Sequence, residues 1–306
     1  MKKRIISVLL ATVFALSVIA YRQYGITCME SGKYEDAVKA FQNALGESIG
    51  HIGEKELDIC FYKAKAQALD GKTKDALATY NAIIKYNKDA RAYYLRGDLY
   101  MDMGEEKKGR ADFESAVQQG KKNYEIYIGI YESLSRHEKK DEGQKYLSAA
   151  MEIKGDKPED ELYKGRISYL LGENKDAISY LEKAKEHKQM LASYYLGLAY
   201  DANGDSDKAK KCIAEYIKSG VATSYDLYEL GMQEMQDGNY KNALTYFNSG
   251  LELEKVPNKQ NLMKSAIAAY EYSGDFDSAK KMMKEYLKAY PDDEEAKHEN
   301  TFLETR

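Results

Sequence analysis

A glycine returns through this sequence at a nearly fixed interval, and no other feature restricts the possible fold as much. Gly32, Gly71, Gly104, Gly172, Gly204, Gly238 and Gly274 stand 39, 33, 68, 32, 34 and 36 residues apart. The gap of 68 is two periods of 34 with one glycine missing. Five residues after each comes a small residue: Ala37, Ala76, Gly109, Ala177, Ala209, Ala243 and Ala279. Seven residues before each stands Gly25, Ala64, Gly97, Gly165, Gly197, Gly231 or Ile267. Three positions in phase over seven units define an array of like elements, none of which can bury its apolar face alone.

One unit shows what each element is. In residues 190–220, Tyr194, Tyr195, Leu196, Leu198, Ala199 and Tyr200 make an apolar face at helical spacing. Asn203-Gly204-Asp205 ends that helix, because glycine and asparagine tolerate the left-handed conformation. Ala209, Ile213 and Tyr216 follow at spacings of 4 and 3 and predict a second helix. The small residues Gly197 and Ala209 let the two backbones approach closely. Composition agrees with helix nearly throughout: 3 prolines and no tryptophan in 306 residues, with Pro158, Pro257 and Pro291 between or after units. Apolar residues at 43% and charged residues at 31% exclude a disordered chain and a polytopic membrane protein.

The phased residues resemble the tetratricopeptide repeat family. Tyr93, Arg96-Gly97, Tyr100, Gly104, Phe113 and Ala116 follow its signature. So do Leu230-Gly231, Gly238, Tyr240, Ala243, Phe247 and Gly250, and then Tyr270, Gly274, Phe276, Ala279 and Pro291. The resemblance implies an all-α fold, a right-handed superhelical solenoid of about eight helix-turn-helix repeats over residues 21–291. Units start near residues 18, 57, 90, 123, 158, 190, 224 and 260. The fourth diverges: it has no turn glycine, His137 and Glu138 stand in the turn, and Gly143 reads as two residues late. The segment from Gly46 to Glu56 is the longest linker. Residues 292–306 read as a polar capping helix with Ala296, Phe302 and Leu303 inward.

Residues 1–20 stand apart. Met-Lys-Lys-Arg precedes sixteen uncharged residues, 5–20, ending Val18-Ile19-Ala20. This is the layout of a bacterial secretory signal cleaved after Ala20, or of a retained membrane anchor with its N-terminus cytoplasmic. Either places the body outside the cytoplasm, with membrane contact only through this segment. Cys28 comes too late for lipid attachment. Cys28, Cys60 and Cys212 form no CxxC pair and read as small buried residues, with a single disulfide as the alternative.

Little in the sequence suggests chemistry. Gly46-Glu47-Ser48-Ile49-Gly50 matches a nucleophile elbow, and His51 follows, but the elbow works only between a strand and a helix. Asp201 to Asp207 imitates a calcium loop without its closing glutamate and reads as a hairpin turn. His51, His137, His187 and His298 are scattered, so no metal site is expected. No phosphate loop appears, and no cofactor is expected. With 46 basic and 50 acidic residues, a net charge of −4, and no basic stripe, nucleic acid is not an expected partner. The expectation is a protein without catalysis.

What the resemblance implies about binding is a concave groove lined by the first helix of each unit. Its groove positions map to Arg22, Ile26 and Met29; Phe61 and Lys65; Tyr94, Asp98 and Met101; and Leu162, Arg166 and Tyr169. Tyr194, Leu198 and Asp201, then Tyr228, Met232 and Met235, complete the set. These are mostly apolar and aromatic, with Lys65 and Arg166 as isolated cations. No unit carries the Lys and Asn pair with which chaperone-binding relatives clamp a carboxylate. The expected function is a scaffold binding a protein or peptide segment through Phe61, Tyr94, Met101, Arg166, Tyr169, Tyr194, Leu198, Tyr228 and Met232. The alternative is a sensor of a small ligand or secreted peptide whose binding changes solenoid curvature. With 28 tyrosines in the chain, many serve only as core.

Overall fold

The computed structural model describes residues 2–47, 53–155 and 157–306, with side chains from Leu16 onward. Seventeen helices occupy the described residues, which contain no strand. They are α1 (Lys2–Glu30), α2 (Tyr34–Glu47), α3 (Glu54–Leu69), α4 (Thr73–Asn87), α5 (Ala90–Asp102) and α6 (Glu106–Gln119). Next come α7 (Tyr124–Arg136), α8 (Lys140–Met151), α9 (Pro158–Leu171), α10 (Asn174–Glu186), α11 (Leu191–Ala202) and α12 (Ser206–Lys218). Last are α13 (Ser224–Gln236), α14 (Tyr240–Leu251), α15 (Lys259–Ser273), α16 (Phe276–Ala289) and α17 (Glu294–Leu303). The first sixteen pair into eight helical hairpins. The chain divides into two compact units, Met1–Ile213 and Ala214–Arg306, with the boundary inside α12.

All eight hairpins close through one turn. The amide after the turn position donates to the carbonyl five residues back. In the first hairpin this is Lys33 to Cys28 at 2.8 Å, and the same bond recurs as far as Asp275 to Tyr270 at 2.9 Å. It satisfies a carbonyl that the helix end would otherwise orphan. The turn residue must take a positive φ, which explains the recurring glycine.

The fourth hairpin supplies the missing member. Glu138 holds φ at 60°, and Lys139 N donates to Leu134 O at 2.8 Å. Its register is therefore unshifted, and Gly143 stands five residues after the turn, in phase with the other small residues. The sequence reading of Gly143 as late assumed that only glycine could mark the turn. A glutamate does so here at the cost of a left-handed backbone, about 1–2 kcal/mol.

A fourth phased position explains the glycine seven before the turn in five of the hairpins. Nine residues after the turn stand Phe41, Phe113, Leu181, Ile213 and Phe247, buried in the second helix. Each rests where a side chain on Gly25, Gly97, Gly165, Gly197 or Gly231 would have to be. A Cβ on Gly97, for example, would lie 2.8 Å from Phe113 Cδ1. In the fourth hairpin the exchange runs the other way. Tyr131 occupies the earlier position, and Gly143 lies against it, where a Cβ would fall 3.0 Å from the Tyr131 ring.

The linkers follow simple rules. Pro158 is the first residue of α9, where a missing N–H costs nothing. Asp293 caps α17 by accepting from Ala296 N at 3.0 Å. Ala296 and Leu303 turn that helix inward, while Phe302 is 43% exposed rather than buried as expected. Cys28, Cys60 and Cys212 form no disulfide; Cys28 and Cys212 are buried and Cys60 is half-buried.

Candidate functional site

In the first unit the first helices of successive hairpins meet side chain to side chain. Arg22 on α1 donates to Asp58 on α3 at 2.8 Å. The Arg91 guanidinium on α5 lies 3.6 Å from the centre of the Phe61 ring on α3. Arg136 on α7 donates to Asp98 on α5 at 2.6 Å, and Arg166 on α9 donates to Glu132 on α7 at 2.7 Å. Arg166 also lies over Tyr195 of α11 at 5.5 Å. Tyr163 on α9 donates to Glu125 on α7 at 3.1 Å, and burial followed by that carboxylate pushes its hydroxyl up to about 12. Half-exposed ion pairs contribute about 0–1 kcal/mol each, so this ladder sets the register of neighbouring hairpins more than their stability.

The predicted site residues distribute unevenly along this face. Phe61 and Met101 are 6% and 2% exposed and belong to the core. Met101 fills the space opposite Gly109, where a Cβ would lie 2.7 Å from its sulfur. The resemblance placed it in the groove, but the missing side chain of Gly109 leaves room for it inside. Tyr94 is half-buried against Gly129 of the next hairpin and tilted on Phe113 at 6.3 Å. Burial, then Asp98 and Glu132, raise its hydroxyl.

Arg166 is not the isolated cation that the sequence suggested, because Glu132 pairs with it. Asp58, Arg91, Glu132 and Arg136 were missed. One signal was available: Asp98, Glu132 and Arg166 stand 34 residues apart, one repeat each.

What the fold does bring together lies on α9 and α11. Tyr169 is half-buried and packs on the core beneath α11. Burial, then Asp201, raise its hydroxyl. Tyr194 meets Tyr195 edge to face at 5.1 Å, and Leu198 stands half-exposed one turn further along α11. Arg166 lies over Tyr195, whose ring meets Tyr194, so these three side chains make one aromatic and cationic patch. In the second unit, Tyr228 on α13 is half-buried and tilted on Phe247 at 6.2 Å. Met232 accepts from Ser265 Oγ of α15 at 3.6 Å. These two residues form a smaller patch of their own.

The other sequence candidates resolve more simply. Ser48 and His51 lie outside the described residues. The aspartate-rich segment is the turn between α11 and α12, with Gly204 at φ +84° and Lys208 on Asp205 at 2.8 Å. Lys208 holds the Asp205 carboxyl below its usual range. His137 ends α7, with Nδ1 2.8 Å from Ser133 O. Among the described residues no three metal-ligating side chains converge. Among them, too, no helix is long and apolar enough to cross a membrane. Most of the apolar run of residues 5–20 lies outside the residues whose side chains are described.

Such an array of like hairpins, joined through their first helices, defines a helical-repeat protein. Two models of the tetratricopeptide repeat family match the chain, one over residues 63–124 and one over 191–219 and 260–293. The chain therefore carries tetratricopeptide repeats over the matched residues, and the same turn closes all eight of its hairpins. Proteins of this family typically serve as protein-interaction scaffolds, bind protein partners and are generally non-catalytic. No curated protein sequence matches it.

Many solved structures are similar, three of which follow. One is a tetratricopeptide repeat protein from Parabacteroides merdae ATCC 43184, at 12% identity over 83% of this chain and 99% of that one, TM-score 0.48. Another is the APC/C hetero-tetramer Cut9–Hcn1, at 16% over 88% and 52%, TM-score 0.44. The third is the C-terminal part of a repeat protein from Cytophaga hutchinsonii, at 14% over 80% and 98%, TM-score 0.39.

Proposed function

We propose that this protein is a non-catalytic scaffold that binds a protein or peptide segment across the first-helix face. The observation that carries this is the patch on α9 and α11, where Arg166 lies over Tyr195 and Tyr195 meets Tyr194. Arg166 is held by Glu132 and Tyr195 packs on the core, so less side-chain entropy remains to be lost on binding. Tyrosine and arginine are also the residues that most often dominate binding energy at protein interfaces.

The test is affinity capture with wild-type protein and a Tyr194→Ala, Leu198→Ala variant, both first matched for helicity. A partner held by the wild type should bind the variant at least about tenfold more weakly. Equal binding by both would remove the patch from the interface.

The proposal extends to location. The basic prefix and the uncharged residues 5–20 support export across, or tethering to, a bacterial membrane. Protease added outside spheroplasts should degrade the repeats. Protection that is lost only on lysis would place the body in the cytoplasm instead.

A further inference from the structure

A cleft of about 520 Å³ opens in the second unit where α15 and α16 meet α17. Its walls are aromatic. Tyr272 and Phe302 are 68% and 43% exposed, and Phe276 also lines the cleft. Its acidic groups are Glu271 on α15 with Glu295 and Glu299 on α17. The cations present are already engaged. Lys264 pairs with Asp293 at 2.9 Å and Glu295 at 3.2 Å, while Arg306 stacks on Phe276 at 5.7 Å and Phe302 at 4.9 Å. Glu271 and Glu299 form no ion pair with another described residue; Glu271 Oε1 is buried, and the group beside it is the Glu299 carboxyl, with which Glu271 shares a hydrogen bond. Two adjacent carboxyls resist ionising together, and a cationic donor placed between them would offset that repulsion.

We propose that this cleft receives an arginine side chain of a partner peptide, its guanidinium held by Glu271 and Glu299 and its stem by the aromatic walls. Charge complementarity carries the choice of a cation. Arginine is preferred to lysine because Phe276 and Phe302 already stack against a guanidinium, that of Arg306, and because a planar fork suits carboxylates. The site lies apart from the α9–α11 patch and stands without it.

Binding should also be linked to protons. Burial and then the adjacent Glu299 raise the Glu271 carboxyl above its ordinary value. The other groups facing the cleft are Lys264 and Tyr272 from α15, Tyr286 from α16, Glu295 from α17, and Arg306. Arginine would favour the ionised form of Glu271, so affinity should rise with pH through the raised value.

The probe is acetyl-Ala-Arg-Ala-amide, titrated into the full-length protein by calorimetry beside its citrulline and lysine counterparts. The arginine peptide should bind at one site. Citrulline, or either Glu271→Gln or Glu299→Gln, should weaken it at least about tenfold, and Tyr194→Ala should leave it unchanged. Each carboxamide variant is isosteric, and matched helicity of both excludes a folding defect. The proposal is overturned by no saturable binding, by equal binding of citrulline, by tighter binding of lysine, or by indifference to both variants.

Discussion

Truncating Phe113 to alanine is expected to lower the unfolding free energy by about 3–5 kcal/mol, read from the urea midpoint of the full-length protein. The ring is fully buried in the third hairpin, and its neighbours cannot all close on the space left behind. Part of that space exists only because Gly97 has no side chain, since a Cβ there would lie 2.8 Å from Phe113 Cδ1 and 3.0 Å from Gly109 O. Gly97→Leu should therefore cost about 1–3 kcal/mol by overpacking.

The two sites share a contact, so their effects should not add. Gly97→Ala with Phe113→Leu should cost less than the two single changes together. The fourth hairpin already makes such a trade, with Tyr131 at the earlier position, Leu147 at the later one and Gly143 facing Tyr131. If Phe113→Ala shifted the midpoint no more than an exposed substitution, the pairing of α5 with α6 described above would be wrong.

Asp293→Ala should cost about 2–3 kcal/mol. Asp293 has three partners. It accepts from Tyr286 Oη, caps α17 through Ala296 N at 3.0 Å, and pairs with Lys264 at 2.9 Å. These bonds, the tyrosine's first, hold its carboxyl well below the usual aspartate range. A depressed folded-state value means stability that is present above the unfolded value, about 3.9, and is lost as pH falls below it. The gap between wild type and Asp293→Asn should therefore narrow as pH drops from 5 toward 2. A gap of constant size across that range would show that the charge contributes nothing. Loss of the cap should also loosen α17 and with it one wall of the arginine cleft.

The repeat itself was legible in the sequence because it rests on backbone chemistry. A turn that needs a positive φ selects glycine, and two helices that touch select small residues. Where Glu138 met the first demand without glycine, the register of the fourth hairpin looked lost although its hydrogen bonds never moved. The binding face was less legible. Assigning its residues one helix at a time left Arg166 alone, since its partner Glu132 lies on the helix whose register was in doubt. Met101 failed for a related reason, because its direction depends on what Gly109 lacks. The cleft beside α17 left no periodic trace, as it arises where the repeats stop.

Helix α1 runs without a break from Lys2 to Glu30, although cleavage after Ala20 would cut it in the middle. Val18 packs against the core formed by Cys28, Ala37 and Phe41, so severance would also strip an apolar contact from the first hairpin. Retained, the segment has no hinge. A bilayer gripping its first half would fix the tilt of its second half, about 15 Å long from Ala20 onward, and of the hairpin built on it. The attachment would then work as a mast rather than a leash, presenting the first hairpin at a set height and heading above the lipid.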